Sequence, residues 1–182
     1  MSKPELTLQH AKAFARSDFG YFARCGMAYL HPAINVHWNW HLDLICSRLT
    51  DVLEGRTRRL IINIPPRYGK SMLASVLLPA FILGRQPEAE VICMTYAQKL
   101  SEKMADHTRR LMIGQLYRDI FGPRLINNRV SLGELKTLQG GCRLATSVDG
   151  TLTGRGGNYL IVDDAMKPAD AYSEVRRRSV NE

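Results

Sequence analysis

The chain of 182 residues carries 25 lysines and arginines against 17 aspartates and glutamates, a formal charge of +8 with an isoelectric point near 9.6. Its 45% apolar content supports one globular core of ordinary size. The longest apolar stretch, Ala74–Leu83, is interrupted by Ser75 and Pro79 and falls short of the roughly 18 residues a membrane-spanning helix needs. The surplus of positive charge points to a polyanionic partner.

The N-terminus has Lys3 but no apolar core of a secretory signal. The cysteines, Cys25, Cys46, Cys93 and Cys142, are far apart; they read as reduced, mostly buried thiols of a cytosolic protein. His37 and His41 are four apart, but no cysteine or carboxylate cluster completes a zinc ligand set. Leu6–Cys25 shows helical spacing, and a loop at His31-Pro32 follows. Asn39–Leu53 places Trp40, Leu44, Ile45, Leu49, Val52 and Leu53 on one stripe, an amphipathic helix closed by Gly55. Trp38 and Trp40 are expected to pack against a sheet edge.

The stretch Leu60-Ile61-Ile62-Asn63-Ile64-Pro65-Pro66-Arg67-Tyr68-Gly69-Lys70-Ser71 carries the most chemistry. Ile61, Ile62 and Ile64 read as a buried parallel strand, and Met72–Leu78 as an apolar helix. A strand, a tight turn and a helix start make a phosphate-binding loop. Backbone N–H groups of Pro66–Ser71 other than proline's face the phosphates, Lys70 bridges two of them, and the Ser71 hydroxyl can ligate Mg²⁺. In G-x-x-x-x-G-K-[ST] the first glycine falls at Ile64, so only the second half of the pattern is kept.

Gly84 and Pro87 mark a turn, Glu90–Thr95 reads as a second core strand, and Gln98–Met112 as a helix. Phe121-Gly122-Pro123 ends that unit, and the alternating, glycine-broken pattern over Val130–Thr146 predicts a β-hairpin insertion. Tyr159-Leu160-Ile161-Val162 is an apolar strand that ends in Asp163-Asp164. In P-loop ATPases such a strand joins the same sheet, its first carboxylate beside Mg²⁺ and the next orienting the attacking water. The cations cluster at Arg56, Arg58 and Arg59, at Lys99, Lys103, Arg109 and Arg110, and at Arg176-Arg177-Arg178. Two more arginines sit where chemistry is expected. Arg67 lies inside the loop, within reach of a γ-phosphate, and Arg155 lies in the flexible turn Gly154-Arg155-Gly156-Gly157.

Together these residues resemble the ATPase domain of phage terminase large subunits, the motors that pump DNA into procapsids. The resemblance rests on Arg58–Ser71, on Leu152-Thr153-Gly154-Arg155-Gly156-Gly157 and on Leu160–Asp164, and spans about His37 to the C-terminus. It implies an α/β P-loop NTPase with a central, mostly parallel sheet flanked by helices. Residues 1–57 would form a helical segment packed on an ATPase core of residues 58–182. It also implies ATP and Mg²⁺ as cofactors, with metal ligands Ser71 and Asp163 and catalytic residues Asp164, Arg155 and Arg67. Pro66, Arg67, Tyr68, Gly69, Lys70 and Ser71 would contact the nucleotide.

The same resemblance places His37, Trp38 and His41 near the adenine and sends an arginine of the Arg155 region into a neighbouring subunit's nucleotide. Its partners would be double-stranded DNA, the portal and procapsid, a small terminase subunit and further copies in a ring, in the cytoplasm of a bacterial host. Two departures stand out. Asp164 occupies a position that is often glutamate in packaging motors. The RNase H-like nuclease domain of terminases has no counterpart in these 182 residues, so no DNA cleavage is expected of the chain. Other readings of the same residues are a prophage-derived remnant without activity and a different P-loop nucleic-acid ATPase, such as a helicase.

Overall fold

A computed structural model describes residues 7–34, 36–126, 131, 133–150, 155–167, 170 and 172–181. The N-terminal part is helical, but not as one helix over Leu6–Cys25. Helix α1 runs Leu8–Ser17 and α2 runs Phe19–Leu30. Asp18 divides them. Its extended backbone closes α1 through its N–H to the Phe14 carbonyl. Its carboxylate accepts the Tyr21 N–H at 2.6 Å and so caps α2. A short acidic side chain competes with the helix for backbone donors, which is why it starts helices better than it continues them.

Helix α3, Trp40–Leu53, has the Asn39 side chain at its N-cap, and Gly55 turns the chain with φ of 74°. Trp40 is 70% exposed. The Trp38 indole donates to Asp43 under the Arg24 guanidinium. The expected packing of these tryptophans on a sheet edge is therefore replaced by an exposed ring and a polar cluster.

Among the described residues, four strands form one sheet in the order β2-β3-β1-β4, with β1 at Glu90–Thr95, β2 at Glu134–Lys136, β3 at Cys142–Ser147 and β4 at Tyr159–Val162. Strand β1 is parallel to both β3 and β4, whereas β2 pairs antiparallel with β3. The fold is mixed α/β and its sheet only partly parallel. The hairpin expected over Val130–Thr146 exists as β2 and β3, but it is no insertion, since β3 lies inside the sheet beside β1; residues 127–130 and 132 fall outside those described. Its sequence resembles a half-exposed ribbon because Arg143 and Thr146 are polar, yet both are buried.

A second correction concerns Leu60–Ile64, expected as a buried parallel strand. It is extended but joins no ladder of the sheet. Leu60, Ile62 and Ile64 pack against the core while Ile61 is 85% exposed. The alternation is that of a strand with one face covered, so three isoleucines in five residues did not mean burial on both sides.

The helix after the loop begins as a π-helix, Met72–Leu77, and continues as α4, Leu78–Arg85. Pro79 has no N–H, so the Ser75 carbonyl lacks its α-helical donor. The buried Arg143 guanidinium supplies one instead, at 3.1 Å, and Thr108 Oγ1 donates to the Val76 carbonyl. Helix α5, Gln98–Ile113, lies over the sheet, α6, Gln115–Phe121, packs against α1, α2 and α5, and α7 spans Glu174–Asn181. The core centres on Phe22 of α2, whose ring meets Phe81, Tyr117 and Phe121. The four cysteines are free thiols, three of them buried, as their spacing suggested.

Candidate functional site

The loop Pro65–Gly69 and the start of the following helix enclose a cavity of about 350 Å³ with Asp164 on its far wall. Gly69 has φ of +84°, and a Cβ there would meet a Leu42 methyl at 2.9 Å. Only glycine lets the loop lie this close to α3. Among the described residues, the non-glycine positions with positive φ are Arg67 at 70° and Asp164 at 50°. Both line this cavity. Such backbone is held against a cost of about 1–3 kcal/mol per residue and concentrates where geometry serves chemistry.

Asp163 and Asp164 follow β4 and are fixed to β1 by the sheet. The Asp163 N–H donates to the Met94 carbonyl, and the Asp164 carbonyl accepts the Tyr96 N–H. This places both carboxylates at the C-terminal end of the parallel strands. There Lys70, 94 residues before Asp164 in the chain, reaches back to them. Its Nζ donates to Asp164 Oδ1 at 2.6 Å and lies 3.5 Å from Asp163 Oδ1. Burial pulls the Lys70 ammonium down. The Asp164 hydrogen bond and the charges of Asp163 and Asp164 outweigh that and raise its pKa above the ordinary value.

Asp163 is 6% exposed. Its Oδ2 accepts the Ser75 hydroxyl at 2.9 Å, which leaves Oδ1 facing the lysine. Ser75 stands one helical turn beyond Ser71, so the two hydroxyls share a face of the helix. A second cavity, about 470 Å³, adjoins the first and shares Arg67, Gly69 and Met72 with it. Its walls come from Met27 of α2, from Ile34, Val36 and His37 in the connection to α3, and from Leu42 of α3, with His41 and the loop's Tyr68 in edge-to-face contact at 5.5 Å between centroids.

A family whose description is "Terminase large subunit, T4likevirus-type, N-terminal" matches residues 61–181. The chain belongs to the terminase large-subunit family. Membership ties it to phage genome packaging and to DNA as a partner of that machinery. Comparison with curated proteins gave no match.

In this terminase chain, the residues singled out in the sequence separate into two places. Pro66, Arg67, Gly69, Lys70, Ser71 and Asp164 line one cavity, Tyr68 lines the adjoining one, and Asp163 backs them from beneath. Arg155 lies elsewhere. Asn158 pairs with Glu90, at the start of β1, and Asp163 with Met94, near its end, so Arg155 approaches the opposite end of the ladder. It pairs there with Glu134 of β2 at 2.5 Å. Residues 151–154, part of the glycine-rich turn, fall outside those described. Trp38 and His37 also divide, since only His37 lines the second cavity.

Ser75 was missed as a site residue. Its signal was present, a lone hydroxyl inside an apolar helix four residues after Ser71. Arg143 gave no such signal. Among the described residues no group of three or more His, Cys, Asp or Glu side chains forms a metal cluster, and no helix is long and apolar enough to cross a membrane.

Proposed function

We propose that the chain is the ATP-hydrolysing part of a phage DNA-packaging motor, built on a P-loop NTPase fold. The observation that carries this reading is the meeting of Lys70 with Asp163 and Asp164, which brings a phosphate-loop cation to a carboxylate pair at the strand ends. The triphosphate would lie in the first cavity, against the N–H groups and positive end of the helix that follows Gly69. Lys70 would exchange its carboxylate partners for β- and γ-phosphate oxygens. The adenine would enter the second cavity, beside His41 and Tyr68.

The donors at the loop suit Mg²⁺. The ion favours hard oxygen ligands and takes only one or two from the protein when phosphates and waters supply the rest. Ser71, in the wall of the first cavity, and Asp163, beside Lys70, are the residues that would hold it. Bound there, Mg²⁺ supplies neutralisation of charge on the phosphate oxygens.

Asp164, which lines the same cavity, would then orient and deprotonate water. Arg67 offers charge to the γ-phosphate from within the subunit. Arg155, at the other end of the strands, can serve only a neighbouring subunit's nucleotide, as it would in a ring. Portal, procapsid and small-subunit contacts, and action in the cytoplasm of a bacterial host, follow from the same reading.

Titration with a fluorescent ATP analogue and Mg²⁺ tests it. Lys70→Ala should weaken binding about 100-fold through removal of charge-assisted hydrogen bonds. Asp164→Asn should bind nucleotide nearly as well while turnover falls about 10²–10⁴-fold. Equal affinity in the wild type and Lys70→Ala would sink the assignment.

A further inference from the structure

The three basic clusters of the sequence are not equivalent once their partners are known. Arg56 is neutralised by Asp51 and Glu54, and Arg178 by Glu174. Arg58 and Arg59 are exposed neighbours at a bend in the connection after α3, where no regular element lines their charges up. Helix α5 differs. Lys99, Lys103 and Arg110 are exposed and have no carboxylate partner among the described residues.

These cations also form a straight row. At 3.6 residues per turn they fall within about 40° of one another around the axis and extend about 16 Å along it. The buried residues of α5, Ser101, Ala105, Thr108, Leu111 and Met112, occupy the opposite side and seat the helix on the sheet and its neighbours. Two acidic residues lie near the row, and both are engaged. Asp106 is held by Arg109 at 3.0 Å, and Glu102 accepts the Gln98 amide. A rigid helix thus presents three exposed cations in line; of the two carboxylates beside them, Asp106 is neutralised by Arg109 while Glu102 keeps its charge.

We infer that this face of α5 is where the chain meets the phosphate backbone of duplex DNA. The inference rests on DNA being the polyanion of the family and adds the surface that touches it. Lysine and arginine in a row on one helix face suit phosphates along a groove edge and carry no base readout. Binding would therefore be sequence-independent, as a motor that moves arbitrary DNA requires.

The measurement is fluorescence anisotropy of a short random-sequence duplex bound by the full chain across a series of salt concentrations. For Lys99→Gln/Lys103→Gln/Arg110→Gln the slope of log affinity against log salt should become shallower by about 2.7, or 0.9 for each phosphate that is no longer neutralised. Because all three side chains are exposed, melting temperature and affinity for the ATP analogue should stay at wild-type values. Arg58→Gln/Arg59→Gln should leave the slope near wild type.

A wild-type chain with no salt-dependent duplex binding overturns both the DNA reading and this surface. Wild-type binding with an unchanged slope in the triple variant overturns the surface alone. Loss of polyglutamate binding with an unchanged duplex slope assigns the row to an acidic protein and likewise overturns the proposal.

Discussion

The aromatic core and the phosphate-loop edge are built by opposite rules. Around Phe22, the rings of Phe81, Tyr117 and Phe121 meet at centroid distances of 5.3–6.2 Å, in helices with ordinary backbone. The edge instead carries two left-handed non-glycine residues, an extended segment outside the sheet, and an edge strand with Leu160 and Val162 exposed. Apolar packing supplies stability with little regard to direction, whereas a site for a charged ligand needs oriented polar groups that oppose compact burial. The first region can therefore hold the second in an unfavourable backbone.

The sharpest way to break this contrast is Phe22→Ala. Removing a fully buried ring should cost about 3–5 kcal/mol in urea unfolding. Below the transition, the surviving folded fraction should keep wild-type nucleotide affinity. A variant that bound nucleotide poorly while folded would show that core and edge are not separable.

A smaller effect is expected at their junction. Ser75→Ala leaves the Asp163 oxygen that accepted its hydroxyl without that donor, which should cost about 1–3 kcal/mol. Unlike the core variant, it should also change nucleotide affinity in the folded protein. An unchanged affinity would detach Ser75 from the site.

The smallest effect should come from His107, which lies outside both regions. Burial, with the positive charge of His31, Arg110 and Lys103 nearby, depresses its pKa below the ordinary value of 6.5. A depressed histidine favours the folded state while neutral. Its contribution is complete above 6.5 and declines as pH falls from there to the folded-state pKa. Melting temperature should therefore drop on mild acidification, and less so in His107→Gln. Parallel pH profiles in the two proteins would remove His107 as the cause.

How much of this was legible in the chain varies with the range of the forces involved. Helix α3, α5 and strands β1 and β4 were readable because apolar spacing and capping residues such as Asn39 act within a few residues. The loop and the carboxylates were readable for a different reason, since each is a compact chemical pattern. The break at Asp18 was not, because a single capping carboxylate can overrule twenty residues of helical spacing.

The interior place of β3 was hidden. Its buried Arg143 finds one partner in the Ser75 carbonyl, left open because Pro79, 64 positions before the arginine, has no N–H to donate. No local window contains both residues. Arg155 posed the reverse difficulty: its glycine-rich surroundings suggested reach, but not that Glu134 of another strand would hold it.

Among the described residues, strand β4 is an edge strand joined to the sheet through β1, yet it leads directly into both carboxylates that Lys70 grips. Peeling β4 away would dismantle the site while leaving most of the aromatic core in place. A ligand that binds only the docked arrangement opposes this opening by RT ln(1 + [L]/Kd). Amide hydrogens of Tyr159–Val162 should thus exchange by local opening well before those of α2, and a saturating nucleotide should slow that exchange selectively. The rate at which this short strand leaves the sheet would then set the lifetime of the assembled site.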